Sequence, residues 1–154
     1  MKILVIYGSR KGSTREVAEE VAAEIVRRGA EALVVDGDEK LTDIKGYDAV
    51  VIGGALYAGR LHKSARRFLK RYQQELAQMR VYVFALGPRR DEPEAFDRPK
   101  QQLAAVLAKY PGIKPIAATI FGGVDAKSDV DIRDWAAIRA WARDLVPSST
   151  LLDL

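Results

Sequence analysis

Short runs of consecutive apolar residues alternate along the chain with longer segments in which apolar residues recur every three or four positions. The continuous runs predict strands that are buried on both faces, and the recurring positions predict amphipathic helices. The predicted strands cover residues 2–7, 32–35, 48–53, 81–86 and 115–121. The predicted helices carry their apolar positions over residues 14–25, 61–76, 103–110 and 135–145.

Strands that alternate with helices in this way are typical of right-handed βαβ units and a doubly wound parallel sheet. In such a sheet, ligands bind outside the carboxyl ends of the strands, near the switch point of the strand order. The loops after the first, third, fourth and fifth strands are therefore the places to look for a site. The length of 154 residues and the 48% apolar content lead us to expect one domain over residues 1–154.

Composition removes several classes of chemistry. The chain has no cysteine and one histidine, His62, so thiolate nucleophiles, disulfides and multi-histidine metal sites are excluded, and we expect no metal. The apolar run at residues 3–7 is too short for a signal-peptide core or a membrane span, which is compatible with a cytoplasmic protein. The net charge of +4 would favour an anionic substrate, an anionic membrane surface or nucleic acid.

The loop after the first strand is rich in hydroxyls and glycine and opens a helix. Its residues are Ser9, Arg10, Lys11, Gly12, Ser13 and Thr14. The start of a helix offers free N–H groups and a favourable dipole, so this loop is a candidate phosphate site. Alternatively, Ser13 caps the helix in a capping box with Glu16, and the two interpretations can coexist. The P-loop and dinucleotide-binding patterns are both absent, which makes Asp36 an ordinary turn residue.

Three stretches of the chain carry a family resemblance that covers nearly its whole length. They are Val5-Ile6-Tyr7-Gly8-Ser9 through Gly12-x-Thr14, the third-strand region at residues 47–63, and Asp134-Trp135-Ala136-Ala137-Ile138. The first resembles the flavodoxin signature. The other two resemble the flavodoxin branch that holds the quinone-dependent protoporphyrinogen oxidases and their flavodoxin-domain relatives.

The resemblance implies a flavodoxin-like, doubly wound, five-stranded parallel sheet of order 2-1-3-4-5 in a three-layer α/β/α arrangement. It also implies FMN, with its phosphate on residues 9–14 and its ring between two further loops. Those loops supply the remaining candidate cofactor-binding residues, which are Ala55, Leu56, Tyr57, Ala58, Gly59, Leu86, Gly87 and Pro88.

Residues in these two loops, and some in the last third of the chain, also admit plainer interpretations. Tyr57 would stack on the flavin ring or pack against the second helix. Gly87 would bring its backbone to the ring edge or simply end a strand before Pro88. The pair Gly122-Gly123 would let the fifth loop approach the site or form a bend. Trp135 and Trp141 lie at helical positions that indicate packing.

The sequence departs from its relatives in two respects. The oxidases of this branch carry a long, basic and aromatic insertion after the fifth strand, where this chain has only the connection that begins at Gly122. Electron-carrier flavodoxins are usually acidic, whereas this chain has a sequence pI of about 9.4.

Basic residues crowd the second helix and its approach, and two more follow the fourth strand. They are Arg60, Lys63, Arg66, Arg67, Lys70, Arg71, Arg89 and Arg90. The run is either a solvated face or an electropositive rim for porphyrin propionates, an acidic redox protein or anionic lipid. Nucleic acid is not favoured, because aromatic residues are not interleaved with the basic ones. His62 in this region is either an exposed helix-start residue or a proton donor to a substrate or quinone.

Taken together, the sequence predicts an FMN-binding oxidoreductase that passes electrons or hydride between a small molecule of porphyrinogen or quinone type and an acceptor. No acid–base triad or nucleophile is evident, so no catalytic side chain is assigned. One alternative is a non-catalytic electron carrier that docks on a redox protein, and another is a flavodoxin fold that binds a partner without flavin. We expect a cytoplasmic location, with contact at the inner membrane face left open.

Overall fold

The computed structural model describes residues 1–147, and its core is one mostly parallel sheet. The sheet contains β1 (Lys2–Gly8), β2 (Glu31–Asp36), β3 (Ala49–Tyr57), β4 (Arg60–Leu61), β5 (Arg80–Leu86) and β6 (Ala117–Phe121). A separate hairpin is formed by β7 (Val124–Asp125) and β8 (Val130–Asp131). The helices are α1 (Ser13–Arg27), α2 (Lys63–Arg71), α3 (Gln73–Leu76), α4 (Asp97–Leu107) and α5 (Trp135–Asp144), with a 3₁₀ turn at Pro93–Phe96.

The five long strands are parallel and lie in the order β2-β1-β3-β5-β6, which confirms the predicted order of 2-1-3-4-5. The two-residue strand β4 pairs antiparallel with β3 and brings the sheet to six strands. The switch point lies between β1 and β3, because the chain moves outward in opposite directions from there.

Helices cover both faces of the sheet, as the continuous apolar strands require. Alternate residues of each strand point to opposite faces, so Ile3 and Val5 pack with α1 and α5 while Leu4 and Ile6 pack with α2 and α4. Phe84 fills the first of these cores and lies edge-on to Trp141, with ring centroids 5.9 Å apart. Gly53 makes room for it, because a Cβ at that position would lie 2.0 Å from the Phe84 ring.

Strand register brings the carboxyl ends of β1, β5 and β6 level with Gly54 and Ala55, near the end of β3. Gly8 at the end of β1 pairs with Gly54, and Leu86 at the end of β5 pairs with both Ala55 and Phe121. The loops after β1, β3, β5 and β6 therefore leave from one edge of the sheet, within a few strand spacings of about 4.8 Å each. This edge is where the sequence analysis places the site.

Two predicted elements have different boundaries in the structure. The third strand, predicted to end at Gly53, continues to Tyr57, because Gly54 and Ala55 also take part in the parallel ladder with β5. The predicted helix over residues 61–76 is interrupted at Tyr72, with Leu61 in β4 and α2 separated from α3. The Tyr72 hydroxyl donates to the Leu41 carbonyl and accepts from its N–H, both at 3.0 Å.

Elements near the end of the chain also differ from expectation. The helix predicted to reach Tyr110 ends at Leu107, and the strand predicted from Pro115 begins at Ala117. The connection between β6 and α5 contains the β7–β8 hairpin, which the sequence pattern did not predict. No helix within residues 1–147 is long and apolar enough to cross a membrane.

Candidate functional site

The loop between β1 and α1 is held in shape by its own backbone and by one serine. The Ser9 hydroxyl accepts a hydrogen bond from the Gly12 N–H at 2.8 Å. Gly12 has a φ of +92°, in the left-handed region that favours glycine, and it is the residue that precedes α1. Arg10 and Lys11 are exposed at the outer side of this turn. The loop thus presents the start of α1 beside two cationic side chains.

The capping-box interpretation of this loop is wrong. Gly12, and not Ser13, occupies the capping position, and no side chain among residues 1–147 caps the helix. The Glu16 carboxylate instead pairs with Arg133 at 3.2 Å. As a result, the backbone N–H groups of residues 13–15 have no hydrogen-bond partner within residues 1–147.

Thr14 adds a buried hydroxyl to these free N–H groups. Its side chain is completely buried, and its Oγ1 has no hydrogen-bond partner in the described part of the chain. A buried hydroxyl left unpaired costs about 1–3 kcal/mol. A phosphate accepts hydrogen bonds from both hydroxyl and N–H donors, so the donor set at the head of α1 fits a phosphate group. Contact with Oγ1 requires the surrounding loop to open, because the atom is enclosed.

The segment at residues 55–59 is mostly strand and not the predicted loop. Ala55, Leu56 and Tyr57 end β3, and a tight turn at Ala58-Gly59 leads into β4. Both turn residues have positive φ, +48° at Ala58 and +78° at Gly59, as type I′ hairpin turns require. Leu86, expected in the second ring loop, is likewise the last residue of β5.

A cavity of about 500 Å³ lies between this hairpin turn and the end of β5. It is lined by Leu56, Ala58, Gly59, Gly87, Pro88, Arg98, Pro99 and Gln102. The structure thereby brings together residues from both segments that were predicted to hold a ring. Its volume is in the range of small-molecule sites. Ala55 and Leu86 are buried behind this edge and Tyr57 is 36% exposed, and none of these three lines the cavity.

Side chains from α4 form a wall of the cavity that the sequence analysis missed. A Cβ on Gly87 would lie 3.1 Å from Pro99, and one on Gly59 would lie 3.3 Å from the Gln102 amide nitrogen. The two glycines therefore let α4 approach both segments closely. The apolar periodicity of this helix begins only at Leu103, so its first turn gave no signal in the sequence.

The loop after β6 reaches the same edge. The Gly123 N–H donates to the Pro88 carbonyl at 2.7 Å, and Asp125 pairs with Arg89 at 3.6 Å. A Cβ on Gly123 would lie 3.2 Å from the Gly87 carbonyl oxygen. Of the two interpretations of Gly122-Gly123, the structure favours close approach to the loop after β5.

His62 has a structural role at the start of α2. Its Nδ1 accepts a hydrogen bond from the Ser64 N–H at 3.2 Å, which caps the helix. Burial, followed by the charge of Lys63, lowers the pKa of His62 below its ordinary value of 6.5. The imidazole is thus held in the neutral form that the cap requires. The helix-start interpretation agrees with this position, but the residue is half-buried and not exposed as expected.

The basic residues of α2 remain largely on the surface. Arg67 pairs with Asp38 at 3.2 Å, and Arg66 donates from Nε to the Leu61 carbonyl at 2.8 Å. Arg89 and Arg90 lie near Asp125 and Glu92 at 3.6 and 3.7 Å. Of the basic residues singled out in the sequence, Arg60, Lys63, Lys70 and Arg71 are exposed and form no ion pair within residues 1–147. Because these four cations have no ion-pair partner there, the surface around α2 stays positively charged.

Among curated proteins, the chain is similar to protoporphyrinogen IX dehydrogenase [quinone] of Escherichia coli strain K12, with 27% identity over 94% of each protein. The alignment spans 171 residues, whereas this chain has 154, so the relative contains residues inside the aligned region that this chain lacks. This agrees with the shortened connection noted in the sequence.

Among solved structures, the fold is similar to that of a flavodoxin mutant from Pseudomonas aeruginosa, with a TM-score of 0.66 and 18% identity over 94% of this chain and 96% of that one. A flavodoxin from the domain Archaea gives a TM-score of 0.65 and 17% identity over the same shares. The family model described as flavodoxin domain matches residues 4–140. The chain therefore belongs to the flavodoxin domain family.

Proposed function

We propose that this chain binds FMN and uses it as an oxidoreductase. The observation that carries the proposal is the head of α1, where the buried Thr14 hydroxyl and the N–H groups of residues 13–15 have no partner within the described chain. Three neighbouring amides and a hydroxyl form a donor set suited to a dianionic phosphate. Arg10 and Lys11 add positive charge at the same turn.

The flavin ring is proposed to lie along the same edge, toward the cavity between the β3–β4 turn and the end of β5. Leu56, Pro88 and Pro99 offer apolar surface there, and Gly59 and Gly87 permit close approach. Tyr57, at the exposed end of β3, is proposed to stack on the ring. Ala55 and Leu86 would support these contacts from behind through their backbone.

Bound FMN would supply reversible uptake and release of electrons or hydride. The name of the Escherichia coli relative supports a porphyrinogen as donor and a quinone as acceptor. In one turnover the donor would lose a hydride and a proton, and the quinone would gain the same two electrons and two protons to become a quinol. The chain itself would orient the substrate, limit access of water and attract anionic groups to its basic edge.

A second candidate function is electron transfer to a protein partner. It is favoured by the similarity in length and fold to flavodoxins, with more than 90% of both chains covered. The exposed cations of α2 would then meet an acidic redox protein, or an anionic membrane surface where quinones reside.

Spectroscopy and turnover on the purified protein test both functions. We expect a yellow protein, or stoichiometric uptake of added FMN, with the released cofactor identified by mass. The loaded protein is then mixed with protoporphyrinogen and with a soluble quinone, and free FMN at equal concentration serves as the control for uncatalysed reaction. Turnover above this control supports the oxidoreductase, and exchange of electrons with a redox protein alone supports the carrier. Failure to bind any flavin at micromolar concentration would overturn both.

A further inference from the structure

Arg133 is a charged residue whose side chain is almost fully removed from solvent. It lies between β8 and α5, outside the three segments assigned to the flavin, and its side chain is only 8% exposed. Burial of a guanidinium is costly unless its donors are paired. Its hydrogen-bond partners therefore indicate what the residue does.

One side of the guanidinium is fixed to its own hairpin. Arg133 donates from Nε and Nη2 to the two carboxylate oxygens of Asp131, at 3.0 and 2.7 Å. The guanidinium carbon also lies 4.8 Å from the centre of the Trp135 ring. A two-pronged carboxylate contact combined with an aromatic face holds the planar group in one orientation.

The remaining donor reaches across to the head of α1. Arg133 Nη1 lies 3.1 Å from the Ser13 carbonyl oxygen and 3.2 Å from Glu16 Oε1. The Ser13 carbonyl belongs to the same peptide group as the Thr14 N–H, one of the amides without a partner in residues 1–147. A hydrogen bond to a carbonyl polarises its peptide and strengthens the N–H as a donor. It also fixes the plane of that peptide.

Charge at this point matters as much as geometry. Glu16 lies in the first turn of α1, and Asp131 is its neighbour because both carboxylates pair with Arg133. Two carboxylates beside an anion site would repel a phosphate. The guanidinium offsets one of these charges and is screened little by solvent, because it is buried.

We propose that Arg133 is a positioning residue for the flavin phosphate, which it serves by fixing the Ser13–Thr14 peptide and by compensating Glu16. The inference rests on the proposed function. It adds a residue that does not itself contact the cofactor but sets the affinity of the loop for it.

Paired titrations with FMN and riboflavin test this proposal, because riboflavin lacks the phosphate. For Arg133→Gln we expect FMN affinity to fall at least about tenfold, the size of one lost charge-assisted hydrogen bond, with riboflavin affinity unchanged. Adding Glu16→Gln to this variant should restore part of the FMN affinity. Arg139→Gln is the control, since Arg139 lies one turn along α5 and forms no ion pair within residues 1–147.

Thermal unfolding of each flavin-free variant shows whether it folds. Should Arg133→Gln fail to fold, Arg133→Lys decides by the same two affinities, since it keeps the charge but loses the forked contacts. A folded variant with unchanged FMN affinity, or with FMN and riboflavin weakened by the same factor, would overturn the role of Arg133. A wild-type chain that binds no FMN would overturn the proposed function instead.

Discussion

The Thr14 hydroxyl imposes a cost on the folded chain that no described contact offsets. Within residues 1–147 it is fully enclosed and unpaired, and it sits beside backbone amides that also have no partner there. Residues that lower stability in this way tend to be kept where function needs them. Thr14 is therefore the residue at which stability and flavin binding should be in direct conflict.

Replacing Thr14 with valine should separate the two properties. Thr14→Val keeps the shape of the side chain and removes the unpaired hydroxyl, so the flavin-free protein should become more stable by up to about 1–3 kcal/mol. The same change removes a donor to the phosphate, so FMN affinity should fall about tenfold. Chemical denaturation and fluorescence titration measure the two effects.

Thr42→Val is the matched control for this substitution. Thr42 is an exposed threonine outside the three segments of the site, so its replacement should leave FMN affinity unchanged. A Thr14→Val protein with lower stability and unaltered FMN affinity would show that the hydroxyl is paired in solution. The role assigned to Thr14 would then be wrong.

His62 should make stability depend on pH near neutrality. Burial and the charge of Lys63 lower its pKa in the folded chain, so the unfolded chain binds the proton more tightly. The stability that neutral His62 contributes to the folded chain is fully present above the unfolded pKa of about 6.5. It is lost as the pH falls through that value toward the folded pKa. As the pH falls from about 7.5 to about 5.5, the free energy of unfolding should therefore decrease. This range lies above the pKa values of ordinary carboxylates.

His62→Asn tests this assignment, because asparagine can cap a helix but does not titrate in this range. Its unfolding free energy should vary less between those pH values than that of the wild type. His62 is the only histidine in the chain, so a single imidazole NMR signal reports its pKa directly. A midpoint above 6.5, or an unchanged slope in the variant, would refute the interpretation.

Among the elements, those with long apolar patterns were predictable and those built from two or three residues were not. All five long strands and their order followed from continuous apolar runs, alternation with helices and the family resemblance. The strand β4 and the β7–β8 hairpin are too short to show a period. The third strand was predicted to end at Gly53, yet it continues to Tyr57, with Phe84 against Gly53 and Leu61 against Gly54 in the space that side chains would occupy.

Ala58, in the β3–β4 turn, has a strained backbone conformation that a substitution can relieve. Ala58 has a φ of +48°, a conformation that costs an L-residue with a Cβ about 1–2 kcal/mol. Asparagine tolerates this region, and Asn-Gly is the preferred pair in two-residue hairpin turns. Ala58→Asn should therefore raise the free energy of unfolding by about 1 kcal/mol, as measured by denaturant titration.

The other hairpin supplies a control for this change. Ala126 lies exposed between β7 and β8 and does not have a positive φ, so Ala126→Asn should change stability by less than about 0.5 kcal/mol. Equal effects of the two substitutions would mean that the backbone of the Ala58 turn is not strained.

At the scale of the whole molecule, the doubly wound sheet explains why the position of the site could be predicted from the sequence while some of its residues could not. Parallel strands bring their following loops to one edge, so residues 9–14 and the ends of β3 and β5 were expected to meet there. Arg98, Pro99 and Gln102 join the edge through the path of α4, and Arg133 through the β7–β8 hairpin. In the sequence these residues look like ordinary surface positions, because their contacts span a large distance along the chain.

Amide NMR of the isotopically labelled chain, titrated with FMN and separately with riboflavin, tests the central claim most directly. The account predicts that the amides of residues 13–15 shift strongly with FMN and weakly with riboflavin, since only FMN offers them a phosphate. Amides near Gly59 and Gly87 should shift with both. Equal shifts at residues 13–15 with the two flavins, or binding of FMN that leaves these amides unmoved, would contradict it.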